Sequence, residues 1–239
     1  YPRWVNLGLS LKPMSISNLV DEVKLKLFEK KITQVEKPEI LIAGCGTGQH
    51  SIETASRFKF SNLLAVDLSL SSLAYAQRKT EQLGVENIKY MQADILNLGQ
   101  VNKQFDIIES AGVLHHMDNP IAGWKVLAGC LKPGGLMKIG LYSEVARQHI
   151  VKMRQEISEA AIVQNDAAMK LFRKTVMTSD QNHHNRVLNS VDFYSTSALK
   201  DLLFHVQEHR FTISQIKDHL SELGLKFCGF EPQNIISHF

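Results

Sequence analysis

The sequence predicts an α/β protein, a doubly wound and mostly parallel sheet with a helical cap insertion. Three observations carry that prediction. Short apolar runs alternate with stretches of helical period over residues 39–142, and such alternation implies parallel pairing through right-handed crossovers. The first run ends abruptly in Gly44-Cys45-Gly46-Thr47-Gly48, just before the next helical stretch. After residue 143 helical spacing takes over, with only one further strand expected near the end.

Each element follows from its own pattern. Val20, Val23 and Leu27 recur at helical spacing, so a helix is expected over residues 18–31, stopping before Pro38. Glu39–Ala43 reads as a buried strand, 50–58 as a helix and Asn62–Asp67 as a second strand. Residues 70–83 form a helix with Leu73, Ala76 and Leu83 inward, closed by Gly84. Residues 87–91 and 105–109 are further strands. Asn119-Pro120 places an N-cap before Pro at the first helical position, opening a helix to Leu131. Lys132-Pro133-Gly134-Gly135 is a turn, and 136–142 the fifth strand. Beyond it, 144–174 is helical by spacing, 181–189 is a polar loop, 198–209 and 214–224 are helices, and 225–230 is a last strand. The expected organisation is an N-terminal helical segment (1–38), a ligand-binding core (39–143), a helical cap (144–224), and a final strand with a short C-terminus (225–239).

Composition excludes several classes. With 239 residues the chain is long enough to bury a core without staples, and 44% hydrophobic residues exclude wholesale disorder. A net charge of +3 gives no basic stripe, so nucleic acid is not expected as a partner. No apolar run is long enough for a membrane span, and no signal segment is visible. Cys45, Cys130 and Cys228 are odd in number and far apart, without CxxC spacing. This excludes a disulfide framework or a thiolate zinc site and points to a reducing, cytoplasmic setting. The start, Tyr1-Pro2-Arg3-Trp4, lacks an initiating Met and is expected to be interior to a longer chain.

The glycine loop is the first chemical signal. Glycines let the backbone approach a ligand, and the helix that follows offers unpaired N–H groups to an anion. Asp67 ends the next strand, 19 residues after Gly48, where a carboxylate binds a ribose diol. Loop and Asp67 together point to an adenosine-type cofactor. A dinucleotide fingerprint requires GxGxxG, but here the spacing is GxGxG and position 49 is Gln. That pattern suits a ligand ending in a single carboxylate, such as the methionine part of S-adenosylmethionine.

Six ordered motifs carry a family resemblance. They are Ile-Leu-Ile-Ala-Gly-Cys-Gly-Thr-Gly (40–48), Ala-Val-Asp-Leu-Ser (65–69), Gln-Ala-Asp-Ile (92–95), Phe-Asp-Ile-Ile (105–108), Gly-Val-Leu-His-His-Met (112–117) and Leu-Lys-Pro-Gly-Gly (131–135). Together they resemble the class I S-adenosylmethionine-dependent methyltransferases, which implies a Rossmann-like sheet of the seven-strand type. Residues 69–83, and the later Asp192-Phe-Tyr-Ser and Val-Gln-Glu-His-Arg-Phe211, are also similar to bacterial methyltransferases carried behind tetratricopeptide repeats, which implies an upstream repeat domain. The resemblance implies that Gly44, Cys45, Gly46, Gly48 and the following helix hold the methionine end. Asp67 would then accept both ribose hydroxyls, Leu68 and Ile95 would pack on the adenine, Asp94 would accept its amino group, and Ser110 would lie near the ammonium or methyl. Two departures stand out. Ile42 replaces the usual Asp or Glu of the first strand, and nine residues after Phe230 are too few for a final antiparallel strand.

On the acceptor side the residues speak less clearly. His115 follows the fourth strand, where it either positions the acceptor and removes its proton or is a structural His bonded to backbone. His205 and His209 are one helical turn apart, but the pattern is not HExxH and no third ligand is evident, so no metal is expected. They are instead expected, with Tyr194 and His115, to flank the methyl acceptor. His183-His184 is expected to be solvated, and Trp4, Tyr142 and Phe193 to line a pocket or pack in the core. The resulting expectation is an S-adenosylmethionine-dependent methyltransferase with a small-molecule or protein acceptor and S-adenosylhomocysteine as product. The rivals are a nicotinamide-dependent oxidoreductase and a non-catalytic cofactor-binding interaction module.

Overall fold

The computed structural model describes residues 7, 9, 10, 12–58 and 60–231. The expectations for Trp4 and for residues 232–239 lie outside them. Two compact units emerge, one built on the sheet (residues up to 141, with 213–231) and one helical (142–212).

The sheet unit holds β1 (Glu39–Ala43), β2 (Asn62–Asp67), β3 (Ile88–Gln92), β4 (Phe105–Ala111) and β5 (Leu131–Gly140) in the order β3-β2-β1-β4-β5. All four pairings are parallel. Among the described residues this sheet therefore has five strands, and no antiparallel edge completes a seven-strand sheet. The central strand explains the double winding. Ile40 and Ile42 of β1 enter one apolar cluster, while Leu41 and Ala43 enter another on the opposite face. The first face is covered by α1 (Ile16–Glu22), α2 (Gln49–Arg57) and α3 (Leu70–Gln82), the second by α4 (Pro120–Cys130). Asn119 caps α4 as its sequence predicts, its side chain accepting from the amides of Ile121 and Ala122. Within 131–140 the Lys132–Gly135 turn survives as a register shift: Phe105 faces Leu131, and Ile107 already faces Leu136.

Several expectations change. The first helix ends at Glu22, not residue 31, because Lys24 adopts a left-handed conformation at φ 52° and Leu25 and Leu27 pack from irregular chain. Residues 214–224 do not belong to the cap. Helix α9 (Ile213–Glu222) lays Ile216 and Leu220, with Leu223 after it, against the α4 side of the sheet. Residues 225–230 form no strand. Leu225 joins that same cluster, and Cys228 meets the rest of the unit by accepting from the Lys26 amide at 2.8 Å. The expected continuous helix 144–174 is α5 (Gln148–Glu159) and α6 (Asp166–Met177), interrupted where Ala161 sits at φ 49°.

In the helical unit, α5 and α6 join α7 (Asn182–Leu188) and α8 (Thr196–Phe204) around Met153, Phe172, Val176, Val187, Phe193 and Leu199. A short parallel pair, β6 (Tyr142–Ser143) and β7 (Arg210–Phe211), closes its ends. The polar loop expected at 181–189 is thus helical. Its sequence lacks an apolar period because Val187 and the polar His184 supply its buried side.

Candidate cofactor site at the carboxyl ends of the strands

Chain connections reverse direction between β1 and β4, and a doubly wound sheet opens its ligand crevice at the carboxyl ends of the strands beside such a reversal. The glycine loop leaves β1 at that point. The amides of Gly44 and Cys45 both donate to the Val66 carbonyl at 2.9 Å, which fixes the loop to β2. Gly48 is required sterically. Its φ is +89°, and a Cβ there would lie 2.5 Å from Ala76 Cβ. The third glycine therefore lets α3 approach the loop, so its conservation of space concerns packing more than ligand contact.

Asp67 is the organising side chain. Its Oδ2 accepts from the Gly46 amide at 2.7 Å and its Oδ1 from the Ser69 amide at 2.9 Å. A carboxylate offers about four acceptor positions, so each oxygen keeps one for a second donor. The residue is 9% exposed and held in one orientation, the arrangement needed to receive two vicinal hydroxyls. Beside it Leu68 is 66% exposed, an apolar side chain that protein packing has left open. Asp94 uses Oδ1 to cap the following turn by accepting from the Leu96 amide at 2.9 Å, and Ile95 next to it is buried. Cys45 does not act as a nucleophile: burial first, then the charge of Asp67, pushes its thiol up to about 12.

Other expected residues fall elsewhere. Ser110 is fully buried, and its hydroxyl donates to the Ala43 carbonyl at 3.0 Å, so it bridges β4 to β1 instead of facing a ligand. His115 is 1% exposed in a 3-10 turn (Leu114–His116), its ring edge-on to His116. His205 and His209 share no helical turn, because α8 ends at Phe204 and His205 is already extended (ψ 135°). The reason is Glu208, whose side chain is 1% exposed and chelated by Arg147 (3.0 and 2.6 Å) with Arg154 and Arg210 close by. Burial raises its carboxyl, and the hydrogen bond and charge of Arg147, then Arg154 and Arg210, bring it below the ordinary value. Tyr194 spends its hydroxyl on the Leu188 carbonyl at 2.9 Å, Phe193 is fully buried, and Arg147 stacks on Tyr142.

His183 and His184, expected in solvent, both bond Glu156, at 2.5 and 2.6 Å, and tie α7 to α5. Each imidazole takes its own carboxylate oxygen. Two ligands on one zinc would stand about 3.3 Å apart given bonds near 2.0–2.1 Å, and His184 Nδ1 lacks the acceptor that a metal-bound imidazole uses. The trio reads as a hydrogen-bonded clasp.

One functional candidate escaped the sequence reading. Glu109 of β4 lies opposite Ile42 in the parallel register, and is 3% exposed. Its Oε2 is 2.7 Å from His50 Nε2 and accepts from Thr54 Oγ1 at 2.9 Å. Burial pushes this carboxyl up, but the hydrogen bond and charge of His50, then Lys138 and Thr54, hold it below the ordinary range. The available signal was an acid directly after the apolar pair Ile107-Ile108, beside a first strand whose apolar stretch Ile40–Ala43 has none.

The comparisons with known proteins agree with this geometry. A sequence model described as Methyltransferase domain matches residues 40–135. An uncharacterized protein of Synechococcus is 27% identical over 212 residues, 84% of this chain and 50% of that protein. Ubiquinone biosynthesis O-methyltransferase of Coxiella burnetii is 31% identical over 159 residues, 63% of this chain and 65% of the enzyme. The chain thus spans between half and two thirds of these relatives' lengths. The structure of PKMT2 from Rickettsia typhi shares the fold, with a TM-score of 0.67 and 19% identity over 95% of this chain and 48% of that one; it has also been solved in complex with AdoHcy, the demethylated product. Residues 40–135 thus match a methyltransferase domain, on a doubly wound fold shared with PKMT2.

Proposed function

We propose that this protein transfers the methyl group of S-adenosylmethionine to a small molecule or a protein side chain. The observation that carries the reading is the Asp67 carboxylate, oriented by the Gly46 and Ser69 amides with one acceptor position left on each oxygen. Asp67 would hold the ribose, Leu68 and Ile95 the adenine face, and Asp94 the adenine amino group. The loop Gly44–Gly48 and the start of α2 would hold the amino-acid end, where the positive end of a helix favours a carboxylate. Bound there, the cofactor supplies a methyl group on a sulfonium, an activated leaving group. The protein's share is then positioning, worth about 7–11 kcal/mol when the acceptor is held in line.

The relative that is 31% identical is named as an O-methyltransferase, so a phenolic oxygen is the first acceptor to test. Such an acceptor loses a proton, and His115 is proposed as the group that takes it. Nothing in the fold or the relatives favours a nicotinamide oxidoreductase. Among the described residues no helix is long and apolar enough to cross a membrane.

The test is transfer of label from methyl-tritiated S-adenosylmethionine to phenolic small molecules and to protein in a cell extract. Label in either fraction supports the reading. Binding of S-adenosylhomocysteine without any transfer would favour a non-catalytic binding module.

A further inference from the structure

The geometry points to Glu109 as the carboxylate that receives the ammonium group of the cofactor's amino-acid end, from β4 instead of from β1. This rests on the functional reading above and adds to it the residue that senses whether the ligand carries an amino-acid tail.

Placement is the first argument. Glu109 pairs with Ile42, two residues before Gly44, so its side chain starts just below the glycine loop at the point where the sheet reverses. It lies two residues after Ile107 and therefore on the same face, the one that packs under α2. Its contacts confirm the level. His50 and Thr54 stand one turn apart at the start of α2, the helix that the loop enters.

The second argument is charge. A buried carboxylate costs several kcal/mol unless positive charge and hydrogen bonds match it. Both bonds to Glu109, from His50 and Thr54, fall on Oε2. Lys138, which also acts on Glu109 electrostatically, is itself ion-paired to Glu231 at 3.0 Å. Among the described residues no side chain donates to Oε1, so this oxygen keeps its acceptor positions for water or for a ligand.

The third argument is elimination around the loop. The amino-acid end of the cofactor carries a carboxylate and an ammonium. The α2 start suits the carboxylate. Ser110 is turned to the Ala43 carbonyl, burial pushes the Cys45 thiol up to about 12, and Asp67, bonded to the Gly46 and Ser69 amides, is the group assigned to the ribose. Glu109 is the remaining acid at the β1–β4 tips, and a primary ammonium is the donor it fits.

The test compares two ligands on the full chain, by calorimetry, with wild type and Glu109→Gln. S-adenosylhomocysteine has the amino-acid tail and 5′-methylthioadenosine lacks it. Loss of one charge-assisted hydrogen bond should weaken S-adenosylhomocysteine by about tenfold or more, while 5′-methylthioadenosine stays unchanged. Equal weakening of both ligands, or of neither, overturns the assignment. If wild type binds neither, the functional reading fails and the inference with it. Should Glu109→Gln not fold, a crystal structure of the unmodified protein with S-adenosylhomocysteine decides. An ammonium bonded to Glu109, directly or through one water, supports the assignment; one held by main-chain carbonyls alone overturns it.

Discussion

His50 and Glu109 join α2 to β4 across 2.7 Å, beneath the loop between them in space and far from each other in sequence. The pair explains how the carboxyl half of β1, Leu41-Ile42-Ala43, which holds no acid, still has a carboxylate beside it: the neighbouring strand supplies it at the same register. His50 is partly solvated (32% of its side chain exposed) and Glu109 is not (4%), so the imidazole brings a polar, water-facing group to a buried charge.

Removing the imidazole should therefore cost stability. Breaking a fully buried pair costs about 3–5 kcal/mol, but water can reach this one from the His50 side, and Thr54 remains. His50→Ala is expected to lose about 1–2 kcal/mol at neutral pH in urea unfolding. The folded-state value of Glu109 lies below its ordinary one, so the pair's contribution is complete above the unfolded-state value and is lost as pH falls through the lowered folded-state value. The gap between wild type and His50→Ala should accordingly narrow below about pH 4. A constant gap from pH 7 to pH 3 would contradict this.

Asp67→Ala should weaken S-adenosylhomocysteine about tenfold to a hundredfold. The structure adds a second consequence. The amides of Gly46 and Ser69 lose their acceptor, so thermal unfolding should shift by the equivalent of about 1–3 kcal/mol. Unchanged affinity would mean that the ribose is held elsewhere.

Gly48→Ala introduces a Cβ 2.5 Å from Ala76 Cβ and 3.1 Å from its backbone Cα, at a φ of +89°. Neither neighbour is a flexible side-chain end. A loss of about 1–3 kcal/mol is expected from the strained backbone alone, with the contact added to it. Denaturant unfolding measures this, and an Ala variant as stable as wild type would show that α3 moves freely.

Glu208→Gln leaves three guanidinium groups around a neutral amide. Because the carboxyl sits below its ordinary value when folded, its contribution is present at neutral pH and is lost as acid protonates it. The variant should expose amides of residues 142–212 to faster hydrogen exchange at pH 7, with a difference from wild type that shrinks in acid. Exchange that matches wild type at pH 7 would contradict the assigned role.

Much of the sheet was legible because its rules are local. Two-sided burial of β1, the Gly44–Gly48 break, the Asn119-Pro120 cap and Asp67 at a strand end each announce themselves within a few residues. The helical unit was less legible where long-range contacts decide. Glu208 stops α8 because three arginines from other elements converge on it, and the spacing of His205 and His209 cannot show that. His184 is buried by an acid 28 residues away, so 181–189 looked like solvent-facing loop. Glu109 was hidden for the same reason: its meaning depends on the strand beside it and on a helix 55 residues earlier.

The central claim is that the loop and Asp67 form a site for an adenosyl amino acid. Calorimetry of the wild-type chain with S-adenosylhomocysteine and, separately, with NAD tests it most directly. The account predicts saturable, one-to-one binding of S-adenosylhomocysteine that is weakened by Asp67→Ala, and no binding of NAD. NAD bound at comparable affinity, or S-adenosylhomocysteine bound equally well by Asp67→Ala, would contradict it.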